Sequence, residues 1–271
     1  MKKTYFYVLL FAVTIIFSCK KTEDTTVVDS LIPIAKQYAF MAEETSTTCG
    51  TCGSIGHENF NLAKKNNSGK IIALAFHCNG PSDAMQSSLL FSYENSRPAQ
   101  GGGIPAFYIG DHQIDLYSLQ PSIDSLLKRS PDAGVKFTSK IVGNVMQVTA
   151  KVKFFKQVTG DYYVSFYLCE NGIDGSPTAA AGFAQTSASA GYTHCNVVRS
   201  GNVTSNAYGV KITKAATTAS GTIYDYTCNI NIDPFCVKNN LFVTSAIWKA
   251  NSDINVSCHY MFVNGWDSMI Y

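Results

Sequence analysis

The segment QYAFMAEETSTTCGTCGSIGHENFNLAKKNNSGKIIALAFH, residues 37–77, decides how the first half of the chain folds. Residues 37–44 read as a strand that runs into a Thr- and Gly-rich turn at 45–53. Residues 56–66 read as a helix. Residues 70–77 (KIIALAFH) form an unbroken apolar run of strand length, the pattern of a strand buried on both faces. Outward from this core the same alternation continues: a helix over 82–93, a glycine turn at 101–103, a second apolar strand at 106–110 and a closing helix over 122–129. Strands alternating with helices predict an α/β domain spanning residues 31–130.

The turn itself carries Cys49-Gly50-Thr51-Cys52, placed between a strand and a helix. A thiolate at the start of a helix lies near unpaired backbone N–H groups and the positive end of the helix dipole, and both lower its pKa. Cys52, one turn further in, is placed to attack a mixed disulfide formed at Cys49 and resolve it. This context predicts a thioredoxin-like domain, in which a cis-proline loop faces the cysteines. Pro105, in Gly103-Ile104-Pro105-Ala106, is the candidate for that proline. Glu43 and Glu44, ending the preceding strand, are candidates for a buried acid that assists proton transfer. His57, on the helix beyond the turn, is a candidate to stabilise a thiolate or relay a proton. Two other readings stand beside this one: a stable surface disulfide without chemistry, or a zinc site completed by His77 and Cys78. The His77-Cys78 pair lacks metal-ligand spacing, so no metal and no other cofactor is expected.

Beyond the breaker-rich stretch 128–135 (KRSPDAGV) the helical period disappears. Met146, Val148, Ala150, Val152 and Phe154 alternate with more polar neighbours. Similar alternation recurs at 162–170, 208–213, 222–232, 241–248 and 254–263. About seven strands at hairpin spacing predict an antiparallel, immunoglobulin-like β-sandwich over residues 131–271. Residues 172–191, rich in Ala, Ser and Gly, read as a long loop suited either to contacting a ligand or to simple flexibility.

The first residues carry an address. Met1-Lys2-Lys3 precedes an apolar run from Tyr5 to Phe17 that as a helix would reach only ~20 Å, too short to cross a bilayer. Ile16-Phe17-Ser18-Cys19 resembles a lipobox. Residues 1–18 are therefore expected to be a lipoprotein signal peptide, Cys19 the lipidated first residue, and the polar residues 19–30 a tether. The expected location is the cell envelope, lipid-anchored at the outer membrane through Cys19. The 271 residues include 21 basic and 19 acidic side chains, and loss of Lys2 and Lys3 leaves 19 of each. No basic cluster points to nucleic acid. Of nine cysteines, Cys19 is assigned to lipid, leaving an even number in an oxidising compartment. In the second half Cys169, Cys195, Cys228, Cys236 and Cys258 are disulfide candidates, with Cys169–Cys195, Cys228–Cys236 and Cys236–Cys258 all open pairings.

Taken together these residues resemble a family of Bacteroidetes outer-membrane lipoproteins related to the twenty-eight-kilodalton outer membrane protein. The resemblance rests on Glu43-Glu44, Cys49-Gly50-Thr51-Cys52, Gly56-His57, Ala75-Phe76-His77, the strand after Pro105, residues 166–172 (FYLCENG), Tyr192-Thr193-His194 and Val197-Val198-Arg199. It implies a thioredoxin-like domain followed by a β-sandwich behind a lipoprotein signal. Two departures stand out. Gly53 occupies the position after the second cysteine, where the family usually has proline, and Cys195-Asn196 follow His194 where Asn and His are expected. Two functions follow for testing: an envelope thiol–disulfide oxidoreductase acting through mixed disulfides, or a binding or adhesion lipoprotein in which the first domain is scaffold and the sandwich meets surface ligands.

Overall fold

A computed structural model describes residues 31–78, 82–96, 103–251 and 259–267. The signal segment, Cys19, the tether and Cys258 lie outside these residues. The fold is mostly β with few helices. In the first half, β1 (Ala39–Thr45) leads through the cysteine turn into α1 (His57–Asn66), and β2 (Ile71–His77) returns parallel to β1. Next come α2 (Ser88–Asn95), the antiparallel hairpin β3 (Ala106–Ile109) and β4 (His112–Ile114), and α3 (Leu119–Leu127). Every residue of β2 is buried, as its unbroken apolar run requires. Helix α1 turns Phe60, Ala63 and Lys64 inward, and α3 turns Leu119, Ile123 and Leu126 inward, both at helical spacing. The helix expected over 82–93 begins only at Ser88, where the Ser87 side chain accepts the Leu89 N–H.

The second half opens with β5 (Ala133–Val142) and β6 (Val145–Phe154), then short β7 (Val158–Thr159) and long β8 (Tyr162–Glu170). Further on are β9 (Ile173–Asp174), β10 (Thr193–His194), β11 (Val197–Gly201), β12 (Val210–Lys211) and β13 (Thr217–Thr218), followed by β14 (Ile223–Asn231), β15 (Leu241–Ala250) and β16 (Tyr260–Asp267). The alternation read in β6 holds: Met146, Val148, Ala150, Val152 and Phe154 are buried in one cluster. Sheet β5–β6–β14 lays that face over β8 and β15, so a sandwich-like core exists.

The sandwich is not a separate pair of sheets. Its larger layer continues into the first half as one nine-stranded sheet in the order β16-β15-β8-β11-β2-β1-β3-β4, with β12 added to β8. Residues 31–271 accordingly form one compact unit. The boundary expected near residue 131 marks a change from mixed to all-β structure, but the sheet runs across it. The physical reason lies in β8 and β15. Residues 164–170 and 242–248 are buried throughout. Val164, Phe166, Leu168, Val243 and Ile247 face the sandwich core, while Tyr167, Cys169, Phe242, Ala246 and Trp248 face the core shared with β1 and β2. Trp248 packs edge-on against Phe40 of β1 at 5.0 Å.

The halves join where β11 runs parallel to β2. Ala75 N–H donates to Asn196 O at 2.8 Å, Asn196 Nδ2 donates to Ala73 O at 3.0 Å, and Lys64 Nζ of α1 donates to Asn196 Oδ1 at 2.8 Å. Asn196 is fully buried and has φ of 58°, a conformation that asparagine tolerates better than most residues. Asn196→Ala should therefore cost about 2–4 kcal/mol, because it strips partners from buried polar groups and strains the backbone. Urea unfolding should show one transition for probes in both halves. Two separated transitions in the wild type would contradict the single-unit fold.

Candidate functional site

Cys49 and Cys52 are joined by a disulfide. β1 delivers the chain to the site through a turn in which Cys49 N–H bonds Ser46 O at 3.1 Å. A wide helical turn over Cys52–Gly56 then passes directly into α1. Cys52 is 1% exposed, while Cys49 is half-buried at the rim. The Cys52 N–H points at Cys49 Sγ at 3.1 Å, and Gly53 N–H donates to Cys49 O at 3.2 Å. One backbone donor, the Cys52 N–H, thus faces the outer sulfur, a contact that would stabilise a thiolate there. The Ile104–Pro105 peptide is cis, and Ile104 O lies 3.5 Å from Cys49 Sγ.

The two glutamates separate. Both are buried, but they point to opposite sides of β1. Glu44 accepts the Tyr108 hydroxyl at 3.3 Å. Glu43 lies behind the first helical turn, where a Cβ added to Gly56 would stand 2.8 Å from Glu43 Oε1 and 3.0 Å from Pro105 Cβ. Gly56 therefore lets the acid, the proline and the helix start approach one another. Glu43 Oε1 has no hydrogen-bond partner. Burial pushes its pKa up to about 8, against a smaller opposing pull from the Lys64 ammonium.

Glu43 also lines a small cavity of about 20 Å³, room for roughly one water. Its other walls include His57, His77, Tyr192, His194 and Cys195. His57 does not meet the cysteines in a hydrogen bond. Its ring lies 4.3 Å from that of Tyr192, and Asn61 Nδ2 is 2.8 Å from its Nε2. Burial first and then Lys64 hold the His57 pKa below its usual value. His194 donates through Nε2 to Phe183 O at 2.8 Å, and burial, reinforced by His77, brings its pKa down to about 4. His77 Nδ1 meets Asp83 Oδ2 at 2.9 Å, and the same oxygen accepts the Thr47 N–H. No group of three or more His, Cys, Asp or Glu that could hold a metal ion occurs among the described residues.

The loop between β9 and β10, read from sequence as flexible or ligand-binding, is seated on the cysteine turn. Gln185 Nε2 lies 2.8 Å from Cys49 O and 3.1 Å from Ser46 O, and Thr186 N–H donates to Thr47 O at 2.7 Å. A Cβ on Gly53 would stand 2.5 Å from Thr186 O and 2.7 Å from Gln185 Cγ. That contact accounts for the missing proline after Cys52: the loop occupies the space a side chain would need. Nothing in the sequence marked Gln185 or Asp83, because their partners lie far away along the chain.

Among the described residues the one disulfide is Cys49–Cys52. Cys195, Cys228 and Cys236 are free thiols, as is Cys78. Cys169 faces the core shared with β2, and Cys228 packs on the opposite, sandwich side. Cys195 lines the cavity, and Cys236 Sγ accepts Arg199 Nε at 3.3 Å. Burial also raises the pKa of Cys78 and of Cys228 to about 11 each. Among the described residues no helix is long and apolar enough to cross a membrane.

No family model matches the chain, and no curated protein matches it. Among solved structures, HBP35 of Porphyromonas gingivalis aligns with a TM-score of 0.68 and 14% identity, over 88% of this chain and 77% of that chain. At that identity the likeness is one of fold. The E. coli curli protein CsgC aligns with a TM-score of 0.23 and 10% identity, over 49% of this chain and 97% of that chain, too weak to bear on the fold. The chain thus shares the fold of a Bacteroidetes protein.

Proposed function

We propose that this chain is a cell-envelope lipoprotein whose first half is a thioredoxin-like module exchanging thiols and disulfides with envelope proteins. The observation that carries the reading is the Cys49–Cys52 disulfide at a helix start, facing cis-Pro105, with the buried carboxyl of Glu43 behind it. Sheet order β2-β1-β3-β4, with β1 and β2 parallel and β3 and β4 antiparallel, is consistent with such a module. Anchoring through Cys19 and the tether 19–30 would hold it at the outer membrane.

In the reduced state the Cys49 thiolate attacks one sulfur of a partner disulfide. The partner's S–S bond breaks, and its second sulfur leaves as a thiolate that takes a proton. Cys52, losing its proton to the ionised form of Glu43, then attacks Cys49 Sγ. The mixed disulfide breaks, the partner leaves with two thiols and the two electrons, and Cys49–Cys52 re-forms. A carboxyl with a pKa of about 8 suits this proton transfer near neutral pH.

A second reading, a binding lipoprotein with a structural disulfide, draws support from the loop seated on the cysteine turn. The two readings separate cleanly. Exchange predicts that Cys49 in the reduced protein is alkylated with a midpoint below pH 7, and that Cys52→Ala accumulates mixed disulfides through Cys49. The structural reading predicts a thiol near ~8.5, no trapped partner, and a loss of about 2 kcal/mol in a Cys49→Ser/Cys52→Ser double variant as the main effect.

Glu43 gives a further expectation with a definite sign. Its folded pKa of about 8 stands above its ordinary value of 4.5, so its stabilising protonation is complete below pH 4.5 and is lost as pH rises through 8. Glu43→Gln should flatten the decline of unfolding free energy between pH 5 and 9 and leave the variant more stable than wild type at pH 9. It should also slow exchange by about tenfold or more at pH 7. An unchanged pH–stability curve would remove the buried-acid assignment.

A further inference from the structure

Between residues 176 and 193 Gln185 is the one buried residue, 4% exposed in a loop that is otherwise open to solvent. Burying a primary amide is costly unless its N–H groups find acceptors. Here they find the turn that carries Cys49. Gln185 Nε2 is in reach of Cys49 O at 2.8 Å, Ser46 O at 3.1 Å and Thr186 O at 3.4 Å. Its own backbone N–H bonds Gly175 O at 3.0 Å, beside the β9–β10 pair that closes the loop. The anchor is therefore delivered by the second half of the chain onto the first.

The turn is held from two sides. On one, Asp83 accepts the Thr47 N–H at 2.9 Å. On the other, Gln185 caps the carbonyls at both ends of residues 46–49, and Thr186 N–H bonds Thr47 O. Gly53 supplies an independent observation. A side chain there would collide with Thr186 O and Gln185 Cγ, so the helix start is shaped to admit this loop. Gly50 is approached in the same way, with Ser187 Oγ 2.9 Å from where its Cβ would be. The loop thus shields Cys49 on one side, and the cysteine is met by Ile104 on another.

We propose that Gln185 is a positioning residue for exchange at Cys49: its amide, carried by the β9–β10 loop, fixes the 46–49 turn so that Cys49 Sγ stays on the Cys52 N–H at the helix start. The proposal rests on the exchange function given above. Its mechanism is preorganisation, because a thiolate gains from the Cys52 N–H and the helix dipole only while its turn is held in register. The loop is then part of the site, although it lies about 135 residues away in sequence, on the order of half the chain.

The test uses the full chain, reduced, with iodoacetamide alkylation of Cys49 followed from pH 4 to 10 and exchange measured on a model protein disulfide. Gln185→Met keeps the side chain's length and removes its donor. It should raise the alkylation midpoint by about 0.5–1 pH unit and slow alkylation at pH 6 by about 3–10-fold. Gly53→Ala, whose methyl would push Thr186 and the Gln185 side chain off the turn while residue 185 itself is unchanged, should reproduce the shift. The double variant should add little to either single change. Circular dichroism and thermal unfolding identify a variant that fails to fold, and the remaining single variant then decides. A low wild-type midpoint that neither substitution moves overturns the positioning role while leaving the exchange function standing. A wild-type midpoint near ~8.5 overturns the exchange function and this role with it.

Discussion

Ala75 sits between strands that come from opposite halves of the chain, paired with Glu43 of β1 on one side and with Val197 of β11 on the other. The β2–β11 ladder is short, a single registered pair, and such a join would be weak if left to backbone bonds alone. Asn196 supplies what the ladder lacks. Its carbonyl accepts the Ala75 N–H, its amide donates to Ala73 O, its own N–H donates to Asn171 Oδ1 at 2.7 Å, and its side-chain oxygen accepts from Lys64. Every one of these groups is removed from water, where an unmade hydrogen bond costs more than a made one contributes. Register at the seam is thereby fixed, and register decides which faces of β8 and β15 meet the two cores.

That seam explains why a chain with two kinds of sequence grammar folds as one unit. Once β11 is locked to β2, β8 and then β15 add to the same sheet, and their two faces must both find apolar cover. The sandwich sheet β5–β6–β14 covers one face. The shared core covers the other, with Trp248 and Tyr208 packed against residues of β1 and β16. Neither core is complete without strands from the second half, because β8 and β15 contribute side chains to both.

The first half was largely legible because its signals are local. The apolar run of β2 has only one comfortable place in a sheet, and CGTC between strand and helix names its own position. The Ile104–Pro105 peptide is cis, and Ile104 O lies beside Cys49 Sγ. The second half misled for an equally physical reason. Tyr162–Glu170 and Leu241–Ala250 are central strands, and aromatic and Ser/Thr positions within them read as a wet face when they are in fact buried, with Ser165 accepting Trp248 Nε1 at 3.0 Å and Tyr167 donating to Ala207 O at 2.6 Å. A polar atom with a partner looks, in sequence, like a polar atom facing solvent. An even number of cysteines likewise says nothing about which layer each side chain faces. Gln185 was invisible because a loop glutamine acquires meaning only from the carbonyls it reaches.

Lys64 connects the seam to the chemistry. From a buried position on α1 its ammonium bonds Asn196 Oδ1, and the same charge acts on Glu43 and on His57. On Glu43 it opposes burial and favours the carboxylate; on His57 it adds to burial and favours the neutral ring. Beside the cavity His57 is therefore held toward its neutral form, while Lys64 limits the rise that burial imposes on the Glu43 carboxyl, to about 8. Were the seam to open, Lys64 would lose its neutral partner, and the balance that sets Glu43 would shift with it. Joining the halves and tuning the acid behind the disulfide thus depend on the same side chain, which is why the second half cannot be treated as a passenger on the first.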